Sequence, residues 1–308
     1  MQRRTRLGLT AAALLSLGLQ GSAAPSMPAG FLAAFRWTAD DPLLGGISGI
    51  DISPDGTRFI ALSDRGSITE GRFLRDAEGV ITGIDAPAMR LLKANGDAPL
   101  NPERADSEGL AWADDGTIYV SFEGVARVLS YAEIDGSATN LPRADAFRSM
   151  QANASLEALA IDDKGRLFTL PEEPGWRKRA FPVYVHDTNQ QDGWSQTFSI
   201  PRLGPYLPVG ADFGPDGRFY LLERDFLGLG GFASRVRVFS VGPYGFDGGK
   251  TILETQPGTH DNLEGLSVWK DDLGRIRLTM VSDDNFVFYL RNEIVEYALP
   301  VDAQLPAH

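Results

Sequence analysis

Residues 107–123 read SEGLAWADDGTIYVSFE: a short apolar run, a turn built on Gly116, and a second apolar run that ends in an acid. The second run is rich in β-branched and aromatic residues and follows an Asp-Gly pair, which is a strong signal for a β-hairpin. The same pattern recurs at 46–64, 156–172, 210–223 and 263–283. The chain is therefore a series of similar hairpins.

The repeat has the period of a β-propeller. The turn glycines Gly56, Gly116, Gly165, Gly217 and Gly274 follow one another at intervals of 49 to 60 residues. In the second to fourth units, a weaker pair of strand candidates follows the hairpin, at 126–132 and 138–141, at 181–186 and 194–200, and at 234–241 and 250–254. Four strands per unit is the composition of a propeller blade. We predict an all-β propeller with five blades; a degenerate blade at 72–93 would make six.

The last unit is one strand short. After its hairpin, only 286–290 and 293–299 remain as strand candidates. Residues 30–37, near the N-terminus, read GFLAAFRW and form a good strand candidate. Pairing this segment with the last blade would close the ring and remove an exposed sheet edge.

The first 24 residues read as a leader. Arg3, Arg4 and Arg6 precede an apolar run at 7–19 and a small-residue segment at 21–24, the pattern of a cleaved signal peptide. We therefore expect a signal peptide at 1–24, a single propeller domain at 25–308, and a periplasmic or secreted protein that leaves the membrane after cleavage. A retained membrane anchor is the alternative.

The charge balance limits the partners. The chain has 29 basic and 41 acidic residues, and removal of three arginines with the leader would leave a formal charge of about −15. Such a surface repels phosphate backbones, so we expect no nucleic-acid partner. The chain contains no cysteine, which excludes disulfides and thiol chemistry. We expect a monomer that acts on a small molecule.

Three glutamates share one position in the repeat. Glu108, Glu157 and Glu264 each stand directly before Gly-Leu or Ala-Leu at the start of a first strand, while Ser48 holds that place in the first copy and Asp212 lies nearby in the fourth. The first strands of a propeller line its channel, so these carboxylates should meet at one mouth. Like charges at such range require cations or protons between them.

Further acids follow the second strands of the repeats, where they could add ligands. They include Asp64, Glu123, Glu172, Glu223, Asp225, Asp283 and Asp284. Because Ca²⁺ takes six to eight oxygen ligands, we predict a Ca²⁺ site formed by Glu108, Glu157, Asp212, Glu264, Asp64, Glu223 and Asp283. The alternative is that the acids after the second strands are solvated loop residues.

Two arginines and one histidine are candidates for substrate contacts or catalysis. Arg65 and Arg224 lie beside these acids and could hold a substrate anion through their forked guanidinium groups. A structural salt bridge is the alternative for each. His260 lies four residues before Glu264 and could reach the channel mouth as a catalytic group together with Glu108, Glu157 and Glu264.

Several of these motifs resemble a known family. Residues 106–110 (DSEGL), 156–159 (LEAL), 262–266 (NLEGL), 47–50 (ISGI) and 63–66 (SDRG) are similar to the phytase-like domain family, whose bacterial members are described as "esterase-like activity of phytase" proteins. The resemblance covers roughly residues 35–299. It implies an exported β-propeller and, by extension from the β-propeller phytases, Ca²⁺-dependent cleavage of phosphate esters.

We therefore expect a Ca²⁺-dependent phosphoric-ester hydrolase. Two alternatives stay open at this point, because one fold hosts unrelated functions. The first is a lactonase or carboxyl-esterase propeller that also uses Ca²⁺. The second is a non-catalytic periplasmic propeller that binds a ligand or partner.

Overall fold

A computed structural model describes residues 27–151, 154–172, 179–190 and 192–299. The predicted signal peptide lies outside these ranges. Within them the chain forms five antiparallel sheets, arranged as the five blades of a β-propeller. No helix in the described ranges is long and apolar enough to cross a membrane.

The first strand of the chain, β1 (Phe31–Arg36), belongs to the last blade. Blade 1 contains β2 (Ile47–Ile52), β3 (Arg58–Ser63), β4 (Ser67–Arg75) and β5 (Ile81–Asp85), with β6 (Arg90–Leu91) paired to β4. Blade 2 contains β7 (Ser107–Trp112), β8 (Ile118–Phe122), β9 (Arg127–Tyr131) and β10 (Thr139–Asn140). Blade 3 contains β11 (Leu156–Ile161), β12 (Arg166–Pro171), β13 (Phe181–Asp187) and β14 (Ser195–Ile200).

Blade 4 contains β15 (Leu207–Phe213), β16 (Phe219–Phe226), β17 (Phe232–Gly242) and β18 (Gly245–Glu254). Blade 5 contains β19 (Asn262–Lys270), β20 (Ile276–Asp283) and β21 (Glu293–Ala298), and β1 completes it. Three short 3₁₀ turns occupy Pro102–Arg104, Asp145–Ser149 and Gly228–Gly230. The segment 72–93 supplies the outer strands of blade 1, so the possible sixth blade is excluded.

The predicted hairpin turns are the same in all five blades. Each turn glycine has a positive φ, between 71° and 92°, and donates its N–H to the carbonyl oxygen three residues earlier. Glycine adopts this backbone conformation without a steric penalty. These turns lie at the end of the channel where the first strands finish.

The first strands β2, β7, β11, β15 and β19 are the inner strands, and each contacts the next around a closed ring. The ring is tight because small residues face the neighbouring backbone. A Cβ at Gly109 would lie 2.5 Å from the carbonyl oxygen of Glu157, and one at Gly210 would overlap the carbonyl oxygen of Glu264. Glycine in a strand often marks such a close backbone approach. Apolar clusters between the sheets form the core around this ring.

Pairing of the chain ends closes the ring, as predicted. β1 pairs antiparallel with β21, and Phe35 lies opposite Ile294. A buried ion cluster adds a second link between blades 1 and 5, because Arg75 donates to both oxygens of Glu296 at 2.8 and 2.9 Å while Arg277 donates at 2.7 Å. The expected strand at 286–290 is wrong: this segment is a turn between β20 and β21.

Candidate metal centre

Every inner strand has a β-bulge near its beginning. The five bulges lie between Ile47 and Gly49, Ser107 and Leu110, Leu156 and Ala158, Pro208 and Gly210, and Leu263 and Gly265. The residues inside them include Ser48, Glu108, Glu157, Val209 and Glu264. A bulge leaves one residue out of the pairing ladder and re-aims its side chain. This explains how the three repeated glutamates reach one channel mouth.

A second set of side chains lies at the same level, on or directly after the second strand of each blade. Each member directly follows the residue that pairs with the inner-strand residue before the bulge. Its members are Asp64, Glu123, Glu172, Arg224 and Asp283, one from each blade. The N–H groups of Asp64, Glu123 and Glu172 donate to the carbonyl oxygens of the residues that directly precede the facing inner strands: Gly46, Asp106 and Ser155. Four of the five blades thus place a carboxyl group here, and blade 4 places a guanidinium group.

The acids of the two sets, with Asp106, make up what we call the carboxylate mouth: Asp64, Asp106, Glu108, Glu123, Glu157, Glu172, Glu264 and Asp283. One oxygen from each of Asp106, Glu108 and Glu123 lies within 4.8 Å of the other two. The same is true of Glu123, Glu157 and Glu172. Glu123 belongs to both triads, so the two groups are contiguous.

Arg224 is the basic group inside this acidic ring. Its guanidinium donates to Asn262 Oδ1 at 2.6 Å, to Glu172 Oε1 at 2.8 Å, and to Glu264 Oε1. These bonds join blades 3, 4 and 5 at the mouth. Arg224 neutralises part of the charge and fixes Glu172 and Glu264 in position.

Burial and the remaining negative charge raise the pKa of the carboxyl groups. Burial, followed by neighbouring carboxylates, raises the pKa of Asp64, Glu123 and Asp283 to about 7. Burial and neighbouring acids raise the pKa of Glu108 and Glu157 well above the ordinary value for glutamate. Near neutral pH the mouth therefore holds protons unless a cation replaces them.

The donor set fits a hard divalent cation. All the side-chain oxygens of the two triads belong to carboxyl groups. Oxygen donors in this number suit Ca²⁺, which accepts six to eight of them in flexible geometry.

Asp212 lies further along the channel than predicted. It stands three residues after Val209 in β15, and Asp51 holds the equivalent place in β2. The Val268 N–H donates to Asp212 at 2.6 Å, and the Trp112 N–H donates to Asp51 at 2.7 Å. Each aspartate therefore ties its inner strand to the inner strand of the next blade. Burial raises the pKa of Asp51 to about 7 and that of Asp212 well above its ordinary value.

Glu223 also lies away from the carboxylate mouth. It is 0% exposed and pairs with two arginines of β17: Arg237 donates at 2.6 and 2.7 Å and Arg235 at 2.9 Å. Successive residues of a strand point to opposite faces, so Arg224 reaches the mouth while Glu223 points into blade 4.

The structure places His260 inside blade 5 rather than at the mouth. Its Nε2 lies 2.6 Å from the Tyr297 hydroxyl oxygen, and Phe31 packs beside the ring. Burial lowers the pKa of His260 to about 4, so the ring is neutral at pH 7. The neutral, buried imidazole fits a packing role.

Arg65 lies at the edge of the mouth. Its guanidinium carbon is 3.2 Å from the centre of the Phe286 ring, and its positive charge partly offsets the raised pKa of Asp64. Phe286 and Asn285 have φ values of 50° and 48°, which are uncommon for residues with side chains. The Asp284 carboxylate holds this turn by accepting the N–H groups of Gly46 and Phe286.

The predicted Ca²⁺ set lacked Glu123 and Glu172, which were identified only as acids after the second strands, and neither Asp106 nor Asp51 was a candidate. A signal for Asp106 was present: it stands two residues before Glu108, as Asn262 stands two residues before Glu264. The structure thus brings together Glu108, Glu157, Glu264, Asp64 and Asp283 from the predicted metal set. It leaves out Asp212 and Glu223.

Comparisons with known proteins match this chain to one family. The family model with the description "Phytase-like: Esterase-like activity of phytase" matches residues 42–286. No curated protein sequence matches the chain.

Similar solved structures include a streptogramin B lyase, with 14% identity over 89% of this chain and 74% of that chain and a TM-score of 0.41. An α-L-arabinofuranosidase from Podospora anserina in complex with cellotriose has 13% identity over 88% and 96%, with a TM-score of 0.48. The calcium-binding protein regucalcin from Agrobacterium tumefaciens has 11% identity over 82% and 90%, with a TM-score of 0.46.

Proposed function

The chain belongs to the phytase-like family, described as esterase-like activity of phytase, and we propose that it hydrolyses phosphoric esters with Ca²⁺ held at the carboxylate mouth. The observation that supports this proposal is the pair of triads that share Glu123. Eight carboxylates meet there beside Arg224. Since such a group cannot carry its full charge without cations or protons, a bound metal is its natural complement.

The residues would divide the work by position. Asp106, Glu108, Glu123, Glu157 and Glu172 would hold the cation. Bound Ca²⁺ would withdraw charge from the phosphoryl oxygens and acidify a nearby water. Arg224 already donates to three side chains, so it would keep Glu172 and Glu264 in place. Arg65 stacks through its face, which leaves the N–H groups at its edge to donate to a phosphate.

The reaction balances with water as the only co-reactant. The water oxygen bonds to phosphorus, the phosphorus–oxygen bond to the alcohol breaks, and the products are inorganic phosphate and the alcohol. Asp64 and Asp283 belong to the mouth but to neither triad, so their carboxylates would be free to take the water proton and return one to the departing oxygen.

The experiment combines metal binding with turnover. Calcium binding is measured by calorimetry, and release of phosphate from aryl and alkyl phosphates is measured with Ca²⁺ or with a chelator. Glu123→Gln removes a member of both triads, so we expect Ca²⁺ affinity to fall by at least about 10- to 100-fold and turnover to fall with it. The control Glu78→Gln changes an exposed glutamate of the β4–β5 turn and should leave both unchanged.

A carboxyl ester or lactone is the second candidate substrate. The eight carboxylates are accompanied by Arg224, whose guanidinium already donates to three side chains, and by Arg65 at the edge. A neutral substrate would meet no repulsion there. Turnover of lactones or aryl acetates, with none of phosphates, would favour this reading. Calcium binding without turnover of any ester would favour a binding protein.

The location remains part of the proposal. A leader at 1–24 would deliver the protein to the periplasm or the medium, as a monomer. Cell fractionation with antibody detection checks the location, and light scattering checks the mass.

A further inference from the structure

Exposed apolar side chains surround part of the carboxylate mouth. They lie on the turns β16–β17 and β20–β21, which follow the strand ends that carry Arg224 and Asp283. We call them the apolar rim: Phe226, Leu227, Leu229, Phe288 and Tyr289. Leu229 is fully exposed and Phe288 is 96% exposed. Both turns belong to neighbouring blades and open at the same end of the channel as the metal centre.

The β16–β17 turn is held by contacts within the turn. Phe226 pairs with Phe232 as the last rung of the ladder, and their ring centres lie 4.9 Å apart. The Leu227 N–H donates to the Gly231 carbonyl at 2.9 Å, which closes a short 3₁₀ turn at Gly228–Gly230. Leu227 and Leu229 are therefore held outward by backbone hydrogen bonds.

The β20–β21 turn is anchored at its base. Phe286 lies under Arg65, and the Val287 N–H donates to the Asp284 carbonyl at 2.8 Å. Two residues further on, the rings of Phe288 and Tyr289 meet edge to face with centres 5.4 Å apart. The exposed rings of Phe288 and Tyr289 thus follow, along the chain, the residue Phe286 whose ring contacts Arg65.

Large apolar side chains that are grouped and exposed on neighbouring turns usually have a partner that covers them. The chain as a whole is strongly acidic, so an extended anionic surface, such as a membrane or an acidic protein, would be repelled. The rim is continuous with the residues proposed to hold the ester. The occupant that satisfies both parts is a single molecule with a polar end and an apolar end.

We propose that the substrate is an amphiphilic ester, whose ester group reaches the carboxylate mouth while its alkyl or aryl group lies on the apolar rim. The position of the ester group rests on the proposed function. The proposed contact of the apolar group with Leu229 and Phe288 is argued only from the exposure and position of the apolar rim.

Binding of non-hydrolysable alkyl phosphonates tests the proposal in the presence of Ca²⁺. Chains of two to ten carbons are titrated by calorimetry, each below its micelle-forming concentration. We expect affinity to rise by up to about fourfold for each added methylene until the rim is covered. Neutral alkyl ketones of the same lengths serve as a second series, so that a site for carboxyl esters gives the same trend.

The double variant Leu229→Ser/Phe288→Ser should bind the shortest phosphonate normally and lose the dependence on chain length. Its control is Leu273→Ser/Tyr244→Ser, which removes two similarly exposed side chains from turns at the opposite end of the channel; Tyr244 is 97% exposed. The control should keep the dependence. Unfolding curves of both variants check that the fold is retained.

Affinity independent of chain length in both series would overturn the proposal. Equal losses in the double variant and its control would overturn it too, as would affinity that arises only above the micelle-forming concentration. These outcomes distinguish a failure of the amphiphilic-substrate proposal from a failure of the proposed function. Hydrolysis of phosphates without a chain-length preference would support the proposed function and contradict the role of the apolar rim. Chain-length-dependent binding without hydrolysis would support the role of the rim and contradict the proposed function.

Discussion

Glu223 and Arg224 are adjacent in β16 and do different things. The first is sealed inside blade 4 with Arg235 and Arg237, and the second crosses the channel mouth to Glu172 and Glu264. Alternation along the strand separates the two side chains. One is part of the core, and the other is part of the site.

We predict that Glu223→Gln destabilises the fold and leaves the metal centre intact. The change leaves two buried guanidinium groups without their carboxylate, which costs about 3–5 kcal/mol in the free energy of unfolding. Chemical denaturation and calcium calorimetry measure the two effects. Weaker Ca²⁺ binding at unchanged stability would contradict the assignment.

The repeat register predicted the shared position of the glutamates in the bulges. It did not predict, to within one residue, which side chain after each second strand faces the mouth. Ending each copy at its first acid put Glu223 with Asp64 and Glu123. The true equivalent is Arg224, because β16 continues to pair with β15 through Leu207. Apolar patterning cannot resolve this shift in a strand that is buried on both faces.

At the level of the strands, the inner ring depends on residues that are small rather than polar. Gly49, Gly109, Gly210 and Gly265 each face the backbone or side chains of a neighbouring inner strand at close range, and Ala158 holds the same place in blade 3. The bulge and the glycine after it work together: the bulge turns a side chain into the mouth, and the glycine lets the next blade approach.

We predict that Gly210→Ala lowers the free energy of unfolding by about 1–3 kcal/mol, because the added methyl group overlaps the Glu264 carbonyl. Since Glu264 is itself part of the mouth, Ca²⁺ affinity should fall as well. Gly193→Ala is the matched control, because no atom lies within 4 Å of its added Cβ. Equal stability of the two variants, by thermal unfolding, would contradict this account.

We also predict that removing residues 1–36 destabilises the ring, whereas removing residues 1–26 does not. The larger deletion takes away β1, leaves the edge of β21 without its partner and uncovers core contacts of Phe31 and Phe35. Thermal unfolding should show the loss, and light scattering should show association through the open edge. A fully stable monomer lacking β1 would contradict the role of this strand.

Alternation and turn chemistry predicted most strands, including β1 in the last blade. The failure at 286–290 has a physical cause that lies outside that segment. The Asp284 carboxylate accepts the N–H groups of Phe286 and Gly46, which fixes a turn in an otherwise apolar stretch. Side-chain hydrogen bonds of this kind compete with a strand ladder, and one partner lies far away in sequence.

For the molecule as a whole, the carboxylate mouth couples stability to pH. Asp64, Glu123 and Asp283 have a pKa of about 7 in the folded chain, above the ordinary values of 3.8 for aspartate and 4.5 for glutamate. The folded state therefore binds more protons than the unfolded state between those values. Their contribution to stability is complete below the ordinary pKa and is lost as the pH rises through 7.

We predict that the chelator-treated protein has a higher melting temperature at pH 5 than at pH 8. Added Ca²⁺ should raise the melting temperature most at pH 8, because the cation competes with protons for the same oxygens. Scanning calorimetry from pH 5 to 8, with Ca²⁺ and with chelator, measures both trends. Stability that rises steadily with pH in chelator would contradict the raised pKa values.

The pairing of β1 with β21 also determines when blade 5 can be completed during synthesis of the chain. The fifth sheet needs the first and the last strand, in chain order, that the structure describes. At about 5–20 residues per second, the first waits on the order of 10–50 s for its partner. Throughout that interval the ring stays open, with blade 5 unfinished and the buried cluster of Arg75, Arg277 and Glu296 unassembled. Completion of the metal centre is thereby delayed until blade 5 has been synthesised, because Glu264 and Asp283 belong to that blade.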